Sequence, residues 1–349
     1  MGRCQSVQSL TNRTCNVFAL CLFLALAISP GAESNVPDAA QLLTKAADLS
    51  DVRAPGSPPF LLAGNLELYE KGKSYQGSYR LLWSSDARWK EEIRLPGYIR
   101  IRVGDVGKYW QQRSINFELF PIYRFSDALD VVSHLRRRAQ QENNKIKERR
   151  EKGRKLECVV HESDRRQWPD AKDEICIDAA TGYLADVRWP DRDEVTDASF
   201  DDYLKLGDKG FPKEIKLMMG HQPLLVLTVT DITSPIGVGD TDLRPFQGSQ
   251  PWGTCANPQL PSLASEARQV FPVYPEQDKL NHIQGIVRIY AVIEEDGSVS
   301  NLKVLSAPDT SLASATVSAI SHWKYHPEVC GATPIRREMI IDTTFTLGG

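Results

Sequence analysis

Between residues 62 and 112 the chain breaks into five short runs of alternating character, 62–69, 75–83, 89–95, 98–103 and 108–112. Lys71-Gly72-Lys73, Ser85-Asp86, Pro96-Gly97 and Gly104-Asp105 separate them, and each group is a turn former. Strands of this length with turns this tight pair antiparallel with their neighbours, so the rhythm predicts a meander. Ahead of it, Ala39, Leu42, Leu43, Ala46 and Ala47 recur at helical spacing over 38–49, with Asp38 placed as a cap and the Pro/Gly/Ser patch at 55–59 as a stop.

After the meander, Ala128, Leu129, Val132 and Leu135 predict a helix that runs from about 126 to 155 into a charge-rich half from Arg136 to Lys155. Interspersed Glu142, Glu148 and Glu151 make that half a solvated face, the alternative being a contact for acidic lipid headgroups. Further strands are expected at 156–160, 174–177, 183–189, 214–219 and 224–232, with a turn at 178–182. Helix, long meander, inserted helix and more strands, with the GSYRLLW strand and the CIDAATGYL hairpin, resemble over 38–239 the LolA-like fold of envelope proteins that carry or sense lipoproteins. The resemblance implies a curved half-barrel around an apolar cavity. Trp83, Trp89, Tyr98, Trp110 and Phe117 become candidate cavity-lining residues, with ordinary sheet packing as the other reading of each.

A chain of 349 residues exceeds what one core usually supports, and two domains are expected. Pro and Gly crowd the segment 234–261, so residues 240–261 read as the linker between a domain at 38–239 and another at 262–349. The balance of 41% hydrophobic and 25% charged residues is that of packed globular domains, and a net charge of -3 gives no electrostatic reason to expect nucleic acid.

Arg3 and Arg13 precede an apolar run over 17–28 that closes on Ser29, Pro30, Gly31 and Ala32, the layout of an export signal at 1–32. Retention as an inner-membrane anchor is the alternative, and the residues ahead of Cys21 do not suit lipidation. Export leaves Cys158, Cys176, Cys255 and Cys330 in an oxidising compartment, the periplasm of a Gram-negative-type envelope. Three pairings are open; pairing within each domain is expected, and free buried thiols are the alternative.

In the last part of the chain, Leu263, Ala264, Ala267 and Val270 suggest a short helix, and Phe271-Pro272-Val273-Tyr274-Pro275 enforces an extended break. A strand at 286–293, a hairpin at Asp296-Gly297, a strand at 299–305, a helix at 311–324 and a final strand of alternating pattern, Met339 to Leu347, follow. Three strands under two helices, with the last strand unpaired on one side, make the whole chain α+β. The landmarks Tyr274-Pro275, Gly285, Asp296-Gly297, Val304-Leu305-Ser306, Trp323-Lys324-Tyr325, Pro327, Gly331 and Phe345 resemble the TonB C-terminal domain. That resemblance implies a non-enzymatic protein that binds an outer-membrane TonB-dependent receptor, or another envelope protein, by adding its strand along the last one. Glu338, Ile340, Asp342, Thr344 and Thr346 then mark the binding strand, and Val273, Tyr274 and Pro275 a second contact. Homodimerisation through the same strand is a further outcome. Against energy transduction stand the lack of a His-bearing transmembrane helix and a folded domain where a Pro-rich spacer would be.

No phosphate loop, zinc helix or nucleophile elbow occurs, and no cofactor or metal is expected. The helix is expected to end between His322 and His326, and Cys330 beside them is expected in a disulfide, so no metal site is read there; Asp170, Asp173 and Glu174 read as solvated charge. A lipid or lipoprotein carrier using the cavity, with the C-terminal module as a docking element, is the second functional expectation.

Overall fold

The computed structural model describes residues 38–85, 87–162, 172–191, 194–234, 236–239, 242–247, 251–253, 262–263 and 271–347. The leader at 1–32, Cys255 and most of the helix expected around 263–270 lie outside them. Helix α1 (Ala39–Ser50) buries Leu42, Leu43, Ala46 and Ala47 as one stripe, and Asp38 occupies its N-cap without a side-chain bond to the first turn. The meander follows as expected: β1 (Phe60–Glu70), β2 (Lys73–Ser85), β3 (Arg88–Leu95), β4 (Tyr98–Asp105) and β5 (Lys108–Arg113).

Helix α2 (Phe120–Ala139) is earlier and shorter than the expected 126–155. It opens with Pro121 in its first turn, where a missing N–H costs nothing, and ends before Asn143, whose φ of 65° breaks the helical run. The charged segment beyond is not helical but forms β6 (Asn144–Glu151), hairpinned to β7 (Arg154–Glu162). Both faces of β6 carry charge, so its period of two is invisible to hydropathy; half-buried Arg149 donates to Asp186 at 2.6 Å and Glu174 at 3.4 Å. The sheet continues through β8 (Lys172–Asp178), β9 (Leu184–Asp191), β10 (Glu194–Leu206), β11 (Lys209–Met219) and β12 (Gln222–Thr233). The turn between β8 and β9 is built as expected, with Asp178 accepting from the Ala180 and Thr181 amides and Gly182 at φ 77°.

Together with β13 (Trp252–Gly253) these strands form one antiparallel sheet in the order β13-β5-β4-β3-β2-β1-β12-β11-β10-β9-β8-β7-β6. Two meanders thus meet where β12 returns to pair with β1, a half-barrel with α1 and α2 packed against its inner core: Leu43, Ile122, Phe125 and Leu135 of the helices meet Phe60, Leu62, Leu66, Ile93 and Leu227 of the strands. Full burial of each such side chain stabilises by roughly 1.5–3 kcal/mol.

The C-terminal part adds β14 (Ser262–Leu263), α3 (Glu276–Leu280), β15 (Gly285–Ile293), β16 (Val299–Ser306), α4 (Thr310–Ile320), β17 (Tyr325–His326), β18 (Glu328–Cys330), β19 (Thr333–Ile335) and β20 (Arg337–Phe345). Strands β16, β15 and β20 form a three-stranded sheet in that order. Val287, Ile289, Ala291 and Ile293 of β15 pack with Leu312 and Ile320 of α4 and with Ile341 and Phe345 of β20. Asp309 caps α4 by accepting from the Ser311 amide at 2.8 Å. The Asp296-Gly297 hairpin stands, with Gly297 at φ 80° and no room for a Cβ, which would lie 1.9 Å from the Tyr325 carbonyl oxygen. A short helix, α3, follows immediately after Pro275, and its Asp278 accepts from the Ser311 hydroxyl at the start of α4.

Candidate functional site

Strand β20 pairs in unbroken register with β15 from Arg337 opposite Ile293 to Phe345 opposite Gly285, and with no other strand among the described residues. In an antiparallel strand, alternate residues turn their N–H and C=O toward the partner and the remainder turn theirs away. The outer margin of β20 therefore carries a row of main-chain donors and acceptors, the feature that takes an added strand.

The two faces of β20 do different work. Met339, Ile341 and Phe345 meet the small core, where the Tyr274 ring stands edge-on to Phe345 at 5.2 Å. The opposite face is turned to the large sheet. Arg288 grips Asp342 with two nitrogens, at 3.0 and 2.8 Å, and lays its guanidinium 3.9 Å from the ring centroid of Phe120 at the start of α2. Ile340 packs against the large core. Glu338 accepts from Arg113 at 2.5 Å, Tyr290 at 2.7 Å and Gln111 at 3.1 Å.

Behind Glu338 lies a buried charge cluster. Fully buried Arg100 donates to Glu91 at 2.7 Å and to Glu118 at 2.8 Å, and Glu118 also takes the Tyr98 hydroxyl and Arg102. Burial pushes the Glu118 carboxyl up, but Arg100, Arg102 and Arg113 outweigh it and hold it below its ordinary value. The same burial drives the Tyr98 and Tyr290 hydroxyls up, with Glu118 and Glu338 adding to the effect, so both remain neutral donors.

Next to this cluster is a cavity of ≈ 790 Å³ between the inner face of β2, β3 and β5, the exposed flank of α2, and the C-terminal residues Glu328, Arg336, Arg337 and Glu338. Tyr123, Ser126, Asp127, Asp130, His134 and Arg137 recur at helical spacing, so α2 turns one polar stripe to the cavity while its apolar stripe enters the core. Half of the lining residues are charged, which corrects the expectation of an apolar interior. The apolar volume of the half-barrel is occupied by α1 and α2 instead. Burial raises the Asp127 carboxyl to about 6 against the pull of Arg124, and raises the Tyr123 hydroxyl to about 12.

Of the aromatic residues singled out in the sequence, Trp83 and Trp89 line this cavity. Tyr98 is buried in the charge cluster, Trp110 lies half-buried on β5, and Phe117 tilts against Tyr290 at 6.4 Å where the two sheets meet. In the second contact, Val273 is 76% exposed, the Tyr274 hydroxyl donates to the Ile283 carbonyl at 2.5 Å, and Pro275 caps α3. On the strand, Thr344 follows Asp342 on the same face, and Thr346 lies just past the end of β20, exposed. Cys158 and Cys176, directly opposite across β7 and β8, form a disulfide. Cys330 is also disulfide-bonded. Glu174 stands close to the first pair, but oxidised sulfurs offer no thiolate to a metal. His322 bonds the Ser318 carbonyl at 2.7 Å and His326 lies apart on β17.

Arg100, Arg113 and Glu118 belong to no local motif. Arg100 alone breaks a pattern, an inverted alternation in β4 where Tyr98 and Arg100 are buried and Ile99 is exposed.

Residues 271–347 match the family described as Gram-negative bacterial TonB protein C-terminal. Solved structures similar to this chain include a LolA superfamily protein from Nitrosomonas europaea, at 9% identity over 60% of this chain and 98% of that one, with a TM-score of 0.39. A putative outer membrane lipoprotein-sorting protein domain from Vibrio parahaemolyticus aligns at 13% identity over 59% and 97%, with a TM-score of 0.39. The MucA/MucB complex of Pseudomonas aeruginosa aligns at 12% identity over 76% and 83%, with a TM-score of 0.28. No curated protein matches the chain. No described helix is long and apolar enough to cross a membrane.

Proposed function

We propose that this chain, whose last part matches the TonB C-terminal family, is an exported envelope protein that binds a partner protein by taking an extended segment along the free margin of β20. The observation that carries the reading is the position of β20: third in its sheet, in regular register with β15, and without a strand on its other side among the described residues. Main-chain bonds at that margin supply affinity without chemistry, in keeping with a non-enzymatic role. In this reading residues 1–32 direct export to the periplasm, 38–239 and 262–349 are the two domains, 240–261 joins them, and the partner is an outer-membrane TonB-dependent receptor. The lipid-carrier alternative draws no support from a cavity lined half by charge.

The test is capture of the leaderless protein on immobilised TonB-box peptides, read together with amide exchange. Capture with slowed exchange at β20 supports the reading. Ile340→Pro and Thr343→Pro lie on opposite parities, so one of them removes an outward-facing N–H and spares the ladder to β15. That variant keeps its fold by circular dichroism and loses capture. No capture by the unaltered protein, or full capture by both variants, sinks the proposal, and a concentration-dependent dimer by sedimentation would assign the margin to a second copy.

A further inference from the structure

The cavity between α2 and the C-terminal part has charges of both signs, and most of them are already paired. Among its carboxylates, Glu91 meets Arg100 at 2.7 Å, Asp130 meets Arg53 at 3.1 Å, Glu328 meets Arg337 at 2.5 Å, Glu338 meets Arg113 at 2.5 Å, and Asp127 meets Arg124 at 3.4 Å. Its guanidiniums Arg53, Arg102 and Arg337 are taken up in the same way, Arg102 by Glu118 at 3.2 Å. Two cations on the lining have no carboxylate partner among the described residues, Arg137 and Arg336.

Arg336 is held by other means. Its guanidinium carbon lies 4.0 Å from the ring centroid of Trp252, Trp252 stacks on Tyr109 at 6.1 Å, and Arg102 lies over the Tyr109 ring at 5.5 Å. Stacking uses the faces of the guanidinium and leaves its edge N–H groups free. One of these reaches the Pro251 carbonyl at 3.4 Å, and that is its single protein acceptor among the described residues. Independently, the indole N–H of Trp83, a residue 6% exposed on the same lining, has no hydrogen-bond partner among the described residues. Leaving a buried donor unsatisfied is costly, and an acceptor brought by a ligand would remove that cost.

We propose that this cavity is a binding site for a small oxyanion-bearing molecule, a carboxylate or a phosphate ester, whose charge is taken by Arg336 and Arg137 and whose body packs against Trp83 and Trp89. A volume of ≈ 790 Å³ suits a ligand of small-molecule size. The paired carboxylates set the orientation by repelling the anion from the Glu91 and Glu338 side. Because Arg336 belongs to the C-terminal part and Arg137 to α2, an occupant bridges α2 and the C-terminal part. The site stands apart from strand addition at β20, and its test uses no partner peptide.

Isothermal titration of the leaderless full chain is run with citrate as the carboxylate, fructose 1,6-bisphosphate as the phosphate ester and maltotriose as a neutral ligand able to stack on aromatic rings. The expected result is saturable binding of an anion, weakened as salt rises, with maltotriose silent; the tighter anion identifies the source of the oxyanion. Arg336→Gln and Arg137→Gln each weaken binding about tenfold or more, and Lys213→Gln, a cation of β11 outside the cavity lining, leaves it unchanged. Arg137 is exposed, so its variant folds whatever happens to the stack on Trp252. Silence with both anions, unaltered affinity in both arginine variants, or binding of maltotriose alone overturns the proposal.

Discussion

Removing the Glu338 carboxylate by Glu338→Ala tests whether the two sheets are held together by the charge cluster. The side chain is nearly buried and accepts from Arg113, Tyr290 and Gln111, while Arg113 is 8% exposed and, apart from the Tyr290 hydroxyl at 3.1 Å, has Glu118 at 3.7 Å as its other carboxylate among the described residues. Deleting one member of a buried pair costs about 3–5 kcal/mol, because the other charge stays behind without compensation. Glu118 is shared with Arg100 and Arg102 and can answer Arg113 only in part, so the expected cost is about 3 kcal/mol, at the low end of that range. Urea unfolding followed by tryptophan fluorescence measures it, with amide exchange at β5 and β20 reporting whether the loss is local to the junction. Glu338→Leu combined with Arg113→Leu removes both charges and should cost less than the sum of the single changes by about 2 kcal/mol. A loss below about 1 kcal/mol for Glu338→Ala, or strict additivity in the double variant, refutes the idea that this pair closes the junction.

Asp127 supplies a pH dependence of unusual sign. Its side chain keeps 45% of its area but stands inside the cavity, and burial raises its carboxyl to about 6 from an ordinary 3.8. The native chain therefore holds a proton that the unfolded chain has released between those values, and stability contributed below pH ~4 is lost as pH rises through 6. Asp127→Asn should gain on the unaltered protein in unfolding midpoint between pH 4 and 7; a constant difference across that window contradicts the assignment. Gly297→Ala should destabilise by about 2 kcal/mol or more, since it adds a Cβ at φ 80° against the Tyr325 carbonyl, and a stability within error of the original would show that the hairpin can shift. Replacing Cys158 and Cys176 together by alanine removes a bridge across a sequence separation of 18 and should cost about 3 kcal/mol, read as a lowered urea midpoint without change in the unaltered protein's far-ultraviolet circular dichroism.

What could be read from the residues was whatever a local period or a turn determines. The strands of the first meander, the β8–β9 turn, the Asp296-Gly297 hairpin, the capped start of α4 and the closing strand are each set by neighbours within a few positions and stand close to where the spacing predicts, whereas α4 ends at Ile320, short of the expected 324. Charge hides the period in two segments, one expected as helix and the other given no element. In β6 both faces carry lysine, arginine or glutamate, and in β10 the acidic Asp197, Asp201 and Asp202 mask the inward Thr196, Ala198 and Phe200. Strand pairing supplies what hydropathy lacks there: β6 is an edge strand whose charge discourages further pairing, and β10 is held between β9 and β11. The charge cluster was invisible for another reason. Glu118, Arg100 and Glu338 come from a loop and two strands separated by up to 238 positions, and only their convergence makes any of them notable.

The position of β20 at a sheet margin was legible because it follows from chain order, whereas the occupation of its face was not. Arg288, Tyr290, Glu338, Ile340 and Asp342 all turn toward the large sheet, and that face is engaged within the chain itself. On the proposed reading, a partner segment at the margin then meets main-chain groups and little else of β20. Backbone bonds do not distinguish one sequence from another, so discrimination must come from side chains beside the strand. Phe271, Val273 and Leu280 are exposed apolar residues at 72%, 76% and 72%, and they flank Tyr274, whose ring rests on Phe345 at the end of β20. On that proposal affinity and selectivity are separated in space: the margin of β20 would bind any extended chain weakly, and the Phe271–Leu280 segment would decide which one stays.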